Sequence, residues 1–365
     1  MEKRDPGIVF LYGGQGSQQV GMEADFVSPE FSARSSADYQ LREIVDLYGR
    51  VFAVRPDLPE AWREEDSLTL TRNAQPALAL HALALTAVLK SRGIRPAAAL
   101  GLSIGEFPAL AALDVLSPDK IVDIVLRRAE LMDDRLNKRR ADGAVDGMTA
   151  VLGLDAAIIA GFLAENGSTA SIANLNSPTQ VVLSGTCDEL DSLEPGLIAL
   201  GARRVQKLEV EGAFHSSVFA ETARIFASDL AKYSFKQPRG YLPLNVFGCS
   251  REEAVASSVS DTAQPVKLLE SSNSLKPTNL QEVPVLPTAM AMQMAASVRL
   301  DDCFDALLRR GYCDFVEIAA KPVLNNLLRR KSKEINVYTV RDLAETESFI
   351  AEYFAGNEEH IAEDN

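Results

Sequence analysis

Short apolar runs alternate with long helical stretches along this chain, and this alternation limits its fold more than any other feature of the sequence. The run GIVFLY at residues 7–12 and the run AAALGL at residues 97–102 each predict a short buried strand. Residues 73–93 predict a helix that is apolar nearly all round and stops at Gly93. This pattern is typical of an α/β fold with a mainly parallel sheet.

Composition and charge narrow the classes of function. With 365 residues, 47% of them hydrophobic and 24% charged, the chain is expected to be a soluble globular protein of one or two domains. Its formal net charge of −14 argues against nucleic acid and anionic membrane surfaces as partners. Basic clusters at residues 137–140 and 329–333 could dock an acidic partner, although solvated helix faces are the simpler interpretation.

Cysteine spacing and hydropathy give expectations about metals and location. The four cysteines have neither CxxC spacing nor a neighbouring histidine, which predicts reduced thiols and no metal site. The apolar run near the N-terminus is too short for a signal peptide, and no stretch reaches the length of a membrane span. We therefore expect a cytoplasmic protein.

The segment LGLSIGEFPAL at residues 100–110 carries the strongest chemical signal. It contains G-x-S-x-G between an apolar strand and a helix-compatible run, the context of a serine nucleophile on a strand-to-helix turn. Glycines on both sides of Ser103 leave room for a sharp turn and for neighbouring strands. The alternative is a tight turn with a purely structural role.

A serine nucleophile needs a base, and the chain has three histidines. His81 lies within the apolar helix, which favours a structural role, and His360 lies in an acidic tail. His215 follows a predicted strand that ends near Gly212, and a short polar loop would present its imidazole at the C-terminal edge of the sheet. We therefore predict that His215 is the base.

The segment GGQGSQ at residues 13–18 follows the first predicted strand and has two interpretations. Three glycines after a strand can cradle a phosphate, but the P-loop lysine and the G-x-G-x-x-G spacing are both missing. The better interpretation is an oxyanion site in which the backbone N–H of Gln15 works with the N–H of Ile104.

The predicted helix at residues 119–136 contains an inward-facing cation. Its apolar stripe includes position 128, whereas position 127 lies on the opposite, charged side. An inward guanidinium is costly without a carboxylate. That carboxylate could come from the protein or from a substrate, and the local sequence leaves both possibilities open for Arg128.

Over nearly its whole length the chain resembles the malonyl-CoA:acyl carrier protein transacylases and the related acyltransferases of polyketide synthases, and in character it is most similar to the discrete, trans-acting polyketide enzymes. Six motifs carry the resemblance: GQGSQ (14–18), the elbow GLSIGE (101–106), RAELM (128–132), IANLNSPTQVVLSG (172–185), GAFHSS (212–217) and QMAASVR (293–299).

The resemblance implies an α/β-hydrolase-like large subdomain with a mainly parallel sheet and a small ferredoxin-like α+β subdomain. The large, discontinuous subdomain would comprise residues 1–137 and 207–345, with a surface loop at 250–288. The small subdomain would comprise residues 138–206, and residues 346–365 would form an acidic C-terminal tail.

The resemblance also implies a reaction. A malonyl group would pass from malonyl-CoA to Ser103 and then to the phosphopantetheine thiol of an acyl carrier protein, in polyketide or fatty acid biosynthesis and without a cofactor. Arg128 would bind the malonyl carboxylate, and the backbone carbonyl of Gln293 would orient His215. Asn174 would contact substrate, and Phe214 would disfavour branched acyl groups.

Two departures from the family pattern leave alternatives open. Leu102 replaces the usual histidine before the nucleophile, as in discrete polyketide acyltransferases and their hydrolase relatives, and it is expected to border the substrate. The sequence AAK at residues 319–321 replaces a GPG motif. One alternative is an acyl hydrolase of the same fold that removes acyl groups from stalled carrier proteins. The presence of Arg128 disfavours it, because such a hydrolase should lack a dedicated carboxylate-binding arginine. The other is a catalytically idle docking protein for carrier proteins, against which Ser103, His215 and Arg128 together argue.

Overall fold

A computed structural model describes residues 7–259 and 285–363. The strands are β1 Val9–Tyr12, β2 Ala98–Gly101, β3 Asp146–Leu152, β4 Ser171–Ser177, β5 Gln180–Thr186, β6 Arg204–Lys207, β7 Asp314–Ile318 and β8 Asn336–Val340. The helices are α1 Pro29–Ser35, α2 Tyr39–Val54, α3 Leu58–Ala61, α4 Glu65–Thr69, α5 Thr71–Ser91, α6 Glu106–Ala112, α7 Pro118–Ala141, α8 Ala156–Glu165, α9 Cys187–Ala199, α10 Ala220–Leu230, α11 Arg251–Val259, α12 Leu286–Met292, α13 Leu300–Arg309, α14 Leu324–Lys331 and α15 Leu343–Glu363. Three short 3₁₀ turns span Ser103–Gly105, Ser217–Phe219 and Gln293–Ala295.

The chain divides into two compact units. The first contains Met1–Leu126, Lys236–Gly240 and Gly311–Asn365, and the second contains Arg127–Phe235 and Tyr241–Arg310. The chain passes from one unit to the other within α7. The subdomain limits implied by the family resemblance stay a prediction.

A parallel sheet of order β2-β1-β7-β8 forms the centre of the first unit. All of its pairings are parallel, and Tyr12 lies opposite Gly101 on one side and Ile318 on the other. Strands β1 and β2 are fully buried, which explains why both are continuous apolar runs without alternation. This sheet confirms the predicted α/β fold.

An antiparallel sheet of order β4-β5-β3-β6 forms part of the second unit. Its elements follow one another as β3-α8-β4-β5-α9-β6, which is the ferredoxin-like order. Apolar residues of its strands and helices form one buried cluster, including Val151, Ile159, Val181, Leu183 and Leu197. The predicted small α+β element is therefore present.

The long buried helix predicted at residues 73–93 is present as α5, which begins two residues earlier and ends at Ser91. Gly93 follows it with a φ of +85°, and its N–H donates to the carbonyl of Lys90. A left-handed residue of this kind is a common way to end a helix, and glycine adopts it without steric cost. None of the helices within residues 7–259 and 285–363 is both long and apolar enough to cross a membrane.

Helices occur within the segments predicted as a surface loop and as an acidic C-terminal tail. The predicted loop at residues 250–288 begins with α11 and ends within α12, while residues 260–284 lie outside the described residues. The predicted tail at residues 346–365 falls largely within α15. The aromatic residues of α15 pack against β8, where the rings of Tyr338 and Phe349 lie 5.1 Å apart.

Candidate active site

The Ser103 elbow of the first unit depends on close backbone packing. Ser103 follows β2 in the left-handed region, at a φ of +53°, and opens the 3₁₀ turn that leads into α6. A Cβ at Gly101 would lie 2.0 Å from the carbonyl carbon of Gly105, and a Cβ at Gly105 would lie 2.4 Å from the carbonyl oxygen of Tyr12. Only glycine fits at either position, so both glycines of the motif are required by the turn.

The loop after β1 lies beside this elbow. A Cβ at Gly14 would lie 2.8 Å from the carbonyl oxygen of Leu102, so the two backbones are in close contact. The Gln15 side chain is anchored, because its Nε2 donates to the carbonyl of Thr69 at 3.1 Å. The loop is closed by Ser17, whose Oγ donates to the carbonyl of Gly14 at 2.6 Å. Gln15 and Ile104 thus belong to two adjacent backbone turns, as an oxyanion site requires.

The two departures from the family pattern lie close to these turns. The Leu102 side chain packs toward Gly14, where an added Cβ would meet its Cγ at 3.1 Å. In the AAK segment, the N–H of Ala319 donates to the carbonyl of Val340 at 3.2 Å, and that of Lys321 donates to the carbonyl of Ser17 at 3.0 Å. The segment therefore contacts the Gln15 loop through one ordinary backbone hydrogen bond, from Lys321, although it lacks GPG.

A buried carboxylate fixes the chain that follows this segment. Glu317 is fully buried in β7 and accepts hydrogen bonds from the backbone N–H groups of Val323, Leu324 and Asn325 at 2.6–2.8 Å. These donors belong to the first turn of α14, which has no intrahelical acceptors for them. Burial raises the pKa of Glu317, and the three hydrogen bonds oppose that shift.

In the second unit, His215 lies in a turn before the short helix at Ser217–Phe219, with a φ of +57°. The preceding strand, β6, ends at Lys207 and is an edge strand of the antiparallel sheet. The strand that was predicted to end near Gly212 therefore ends five residues earlier, at Lys207. The pairing of β6 with β3 ends where Lys207 meets Thr149, and the chain then leaves the sheet.

The imidazole of His215 is held in one orientation and is buried. Its Nδ1 donates to the backbone carbonyl of Gln293 at 2.7 Å, because a carbonyl can only accept. The other ring nitrogen, Nε2, is then the one able to accept a proton. Burial lowers the pKa of His215 to about 4, the charge of Arg128 adds to this, and hydrogen bonds to the carbonyls of Gln293 and Ala296 oppose it. The imidazole is therefore neutral at pH 7, as a general base must be.

Arg128 is buried on α7, with 2% of its surface exposed, as the helical spacing predicts. Its Nη2 donates to the side-chain oxygen of Gln293 at 2.9 Å. The neighbouring Arg127 lies on the other side of the helix and bonds Asp229 and Glu130. Sequence reasoning missed the side-chain role of Gln293, because a single buried amide in an apolar segment has no spacing pattern that identifies its partner.

Phe214 and Asn174 are the remaining candidate residues of the second unit. Phe214 is buried, and its ring stacks on that of Phe219 at 5.7 Å. The hydroxyl of Ser184 in β5 donates to the carbonyl of Phe214 and so fixes the backbone just before His215. Asn174 of β4 forms a parallel bridge with Val298, which lies five residues beyond Gln293.

His81 occupies a different environment, in the first unit. It is buried, its Nδ1 lies 2.8 Å from the carbonyl of Met22, and its ring meets Phe26 edge-on at 5.9 Å. Burial lowers the pKa of His81 to about 4. These contacts fit the structural role predicted for it. Among the residues that the structure describes, no group of three or more His, Cys, Asp or Glu is placed to hold a metal ion.

Comparison with known proteins supports an assignment by family. The sequence profile described as the acyl transferase domain matches residues 9–347. The malonyl CoA-acyl carrier protein transacylase of Bacillus subtilis (strain 168) is 28% identical over 338 residues, which cover 92% of this chain and 93% of the relative. That of Staphylococcus aureus (strain MRSA252) is 28% identical over 349 residues, which cover 93% and 97%.

Solved structures show the same fold. An acyl carrier protein S-malonyltransferase from Vibrio cholerae is 25% identical, with a TM-score of 0.72 over 94% of this chain and 99% of that one. The malonyl CoA-acyl carrier protein transacylase of Clostridium perfringens, at 23% identity, has a TM-score of 0.75 over 98% and 100%. The similarity therefore extends along both compact units.

The pKa of His81 leads to a prediction about stability. An unfolded histidine titrates near 6.5, so between pH 6.5 and 4 the unfolded chain takes up a proton that the folded protein excludes. This contribution to stability is complete above pH 6.5 and is lost as the pH falls. In His81→Gln, the loss of unfolding free energy between pH 7 and 5 should be smaller than in the wild type by about 2 kcal/mol, measured by urea unfolding. Equal losses would show that His81 is exposed to proton uptake in the folded state.

Proposed function

The chain belongs to the acyl transferase domain family, and on that basis we propose that it transfers a malonyl group from malonyl-CoA to the phosphopantetheine thiol of an acyl carrier protein. The curated relatives are named for this activity. The observation that carries the proposal is the buried guanidinium of Arg128, held beside a neutral His215 by contacts of both residues with Gln293. A buried cation next to a candidate base suits a substrate that carries its own carboxylate.

The first half of the proposed reaction loads the enzyme. His215 Nε2 takes the proton of Ser103 Oγ as the oxygen attacks the thioester carbonyl of malonyl-CoA. The backbone N–H groups of Gln15 and Ile104 stabilise the negative charge that develops on the carbonyl oxygen. The carbon–sulfur bond then breaks, and the CoA sulfur leaves with the proton from His215. Throughout, Arg128 pairs with the free carboxylate of the malonyl group.

The second half repeats these steps with another thiol. His215 takes the proton of the phosphopantetheine thiol, and the sulfur attacks the malonyl ester on Ser103. When the intermediate collapses, the Ser103 oxygen regains its proton from His215. The overall kinetics are ping-pong, because CoA leaves before the carrier protein reacts. The proposal requires Ser103 Oγ and His215 Nε2 to come within hydrogen-bond distance of each other during both steps.

Acyl-group selectivity and pathway are further parts of the proposal. The ring of Phe214, supported by Phe219, would crowd the α-carbon of the acyl group and disfavour branched substrates. Asn174 and Leu102 are proposed to border the acyl donor. Either fatty acid or polyketide biosynthesis could use the product, since both extend chains with malonyl units carried on such proteins.

Labelled malonyl-CoA tests the proposed nucleophile and separates the alternatives. The wild type should acquire a stable malonyl adduct and pass it to added carrier protein, whereas Ser103→Ala should acquire none while keeping its fold. Ser91→Ala, which removes a hydroxyl from α5, is the matched control and should be labelled normally. A hydrolase would release free malonate without carrier protein, and an idle docking protein would form no adduct. An adduct on Ser103→Ala would refute the assignment of the nucleophile.

The two buried histidines form a matched pair for testing the base. His215→Gln should slow Ser103 acylation by about 10²-fold or more, the usual scale for loss of general-base catalysis. His81→Gln should acylate at close to the wild-type rate, because the His81 ring packs on Phe26, bonds the carbonyl of Met22 and has no proposed role in proton transfer. Stopped-flow release of CoA measures both rates. A normal rate in His215→Gln would transfer the role to another group.

The role of Arg128 is tested by comparing two acyl donors. Without its guanidinium, the malonyl carboxylate would be stranded in a poorly solvated site, at a cost of roughly 3–5 kcal/mol, or about 10² to 10³-fold and more in loading rate. Arg128→Ala should therefore lose malonyl loading but keep or improve acetyl loading. Arg127→Ala removes the outward-facing neighbour and should leave the malonyl-to-acetyl ratio unchanged. Equal losses for both donors, together with a lower melting temperature, would show that Arg128 neutralises a carboxylate of the protein.

A further inference from the structure

Two of the polar contacts of Gln293 involve different parts of the same residue. It is fully buried at the start of the 3₁₀ turn that ends at Ala295. Its backbone carbonyl accepts the hydrogen bond from His215 Nδ1, and its side-chain oxygen accepts one from Arg128 Nη2. The candidate base and the candidate carboxylate ligand are therefore both attached to one residue of a short, buried turn.

We propose that Gln293 is a positioning residue for acyl-group selectivity. Its side chain orients the guanidinium of Arg128 toward the substrate carboxylate and keeps it at a fixed position relative to the His215 imidazole. This inference rests on the proposed function. It concerns the side chain alone, since the backbone carbonyl is the part that orients His215. Gln293 does not itself contact the reacting atoms.

The geometry of the guanidinium gives the physical reason. A guanidinium is planar with five N–H donors, and a bidentate pair with a carboxylate forms only when its plane and the plane of the carboxylate are aligned. The 2.9 Å bond from Nη2 to Gln293 occupies one of these donors and restricts rotation of the group. Restricting it before substrate arrives reduces the entropy lost on binding and places the acyl carbonyl relative to the base.

The chemistry of the acceptor explains why an amide serves at this position. An amide oxygen accepts the hydrogen bond without carrying charge, so it leaves the positive charge of Arg128 available to the substrate. A carboxylate in the same place would accept the same hydrogen bond but would neutralise the guanidinium and compete with the malonyl group. Glutamine and glutamate have nearly the same shape, so exchanging them changes the charge and little else.

The test measures Ser103 acylation by malonyl-CoA and acetyl-CoA in the full-length protein with two variants. In Gln293→Glu, malonyl loading should fall by about 10²-fold while acetyl loading stays within a few-fold of the wild type, because the new carboxylate occupies Arg128. In Gln293→Met, which removes the acceptor, malonyl loading should fall by roughly 10-fold, the scale of one hydrogen bond to a charged group. Both variants keep the backbone carbonyl that holds His215.

Ser297→Ala is the matched control. It lies in the same segment and loses a hydrogen bond from its hydroxyl to the carbonyl of Ile172, which involves neither Arg128 nor His215. Its malonyl-to-acetyl ratio should equal that of the wild type. A purely structural role for Gln293 would lower loading from both donors equally in both variants, and that result would overturn the inference.

The outcomes also separate this inference from the proposed function. A wild-type protein that loads neither thioester would refute the proposed function itself. A wild-type protein that prefers malonyl, with the same preference in Gln293→Glu, would refute only the role of the Gln293 side chain. A ratio shifted toward acetyl in both Gln293 variants, and unshifted in Ser297→Ala, is the result that the inference requires.

Discussion

The parallel pairing of β1 with β2 is the constraint on which the first unit's part of the candidate site depends. Because Tyr12 lies opposite Gly101, the Gln15 loop and the Ser103 elbow leave the sheet at the same end. A Cβ at residue 105 would also lie only 2.4 Å from the carbonyl oxygen of Tyr12, so the backbone of the elbow packs directly on the end of β1. A side chain there would push the two turns apart and separate the Ile104 N–H from that of Gln15.

In the second unit, burial is what determines the chemistry. A solvated histidine would be partly protonated near neutral pH, whereas the buried His215 stays neutral and keeps Nε2 ready to accept a proton. The same burial raises the free-energy cost of a charged side chain, so the charge of Arg128 must be compensated by polar contacts or by a bound carboxylate. Gln293 is completely buried and contacts both residues, and its amide does so without adding a charge of its own.

Local patterns were enough to predict the parallel sheet, the long buried helix, the elbow and the inward direction of Arg128. In each of these the signal is short in range: an apolar run, a helical period or glycines flanking a serine. The strand before His215 was predicted to continue to Gly212 but stops at Lys207, where its pairing with β3 ends. That partner lies more than fifty residues earlier, and residue type alone does not specify it. The hydrogen bond from Arg128 to Gln293 joins residues that are 165 positions apart, so local sequence patterns could not predict it.

Backbone strain points to the chemistry without reference to the family. Three non-glycine residues within the described ranges have a positive φ: Ser103, Asp114 and His215. Asp114 follows the end of α6, where its carboxylate bonds Lys90 at 2.8 Å, and aspartate tolerates this conformation well. Ser103 and His215 have no such local explanation, and each conformation costs roughly 1–3 kcal/mol that glycine would avoid. Glycine would also remove the hydroxyl and the imidazole, so the strain is retained at the two positions whose side chains the proposed acyl transfer uses.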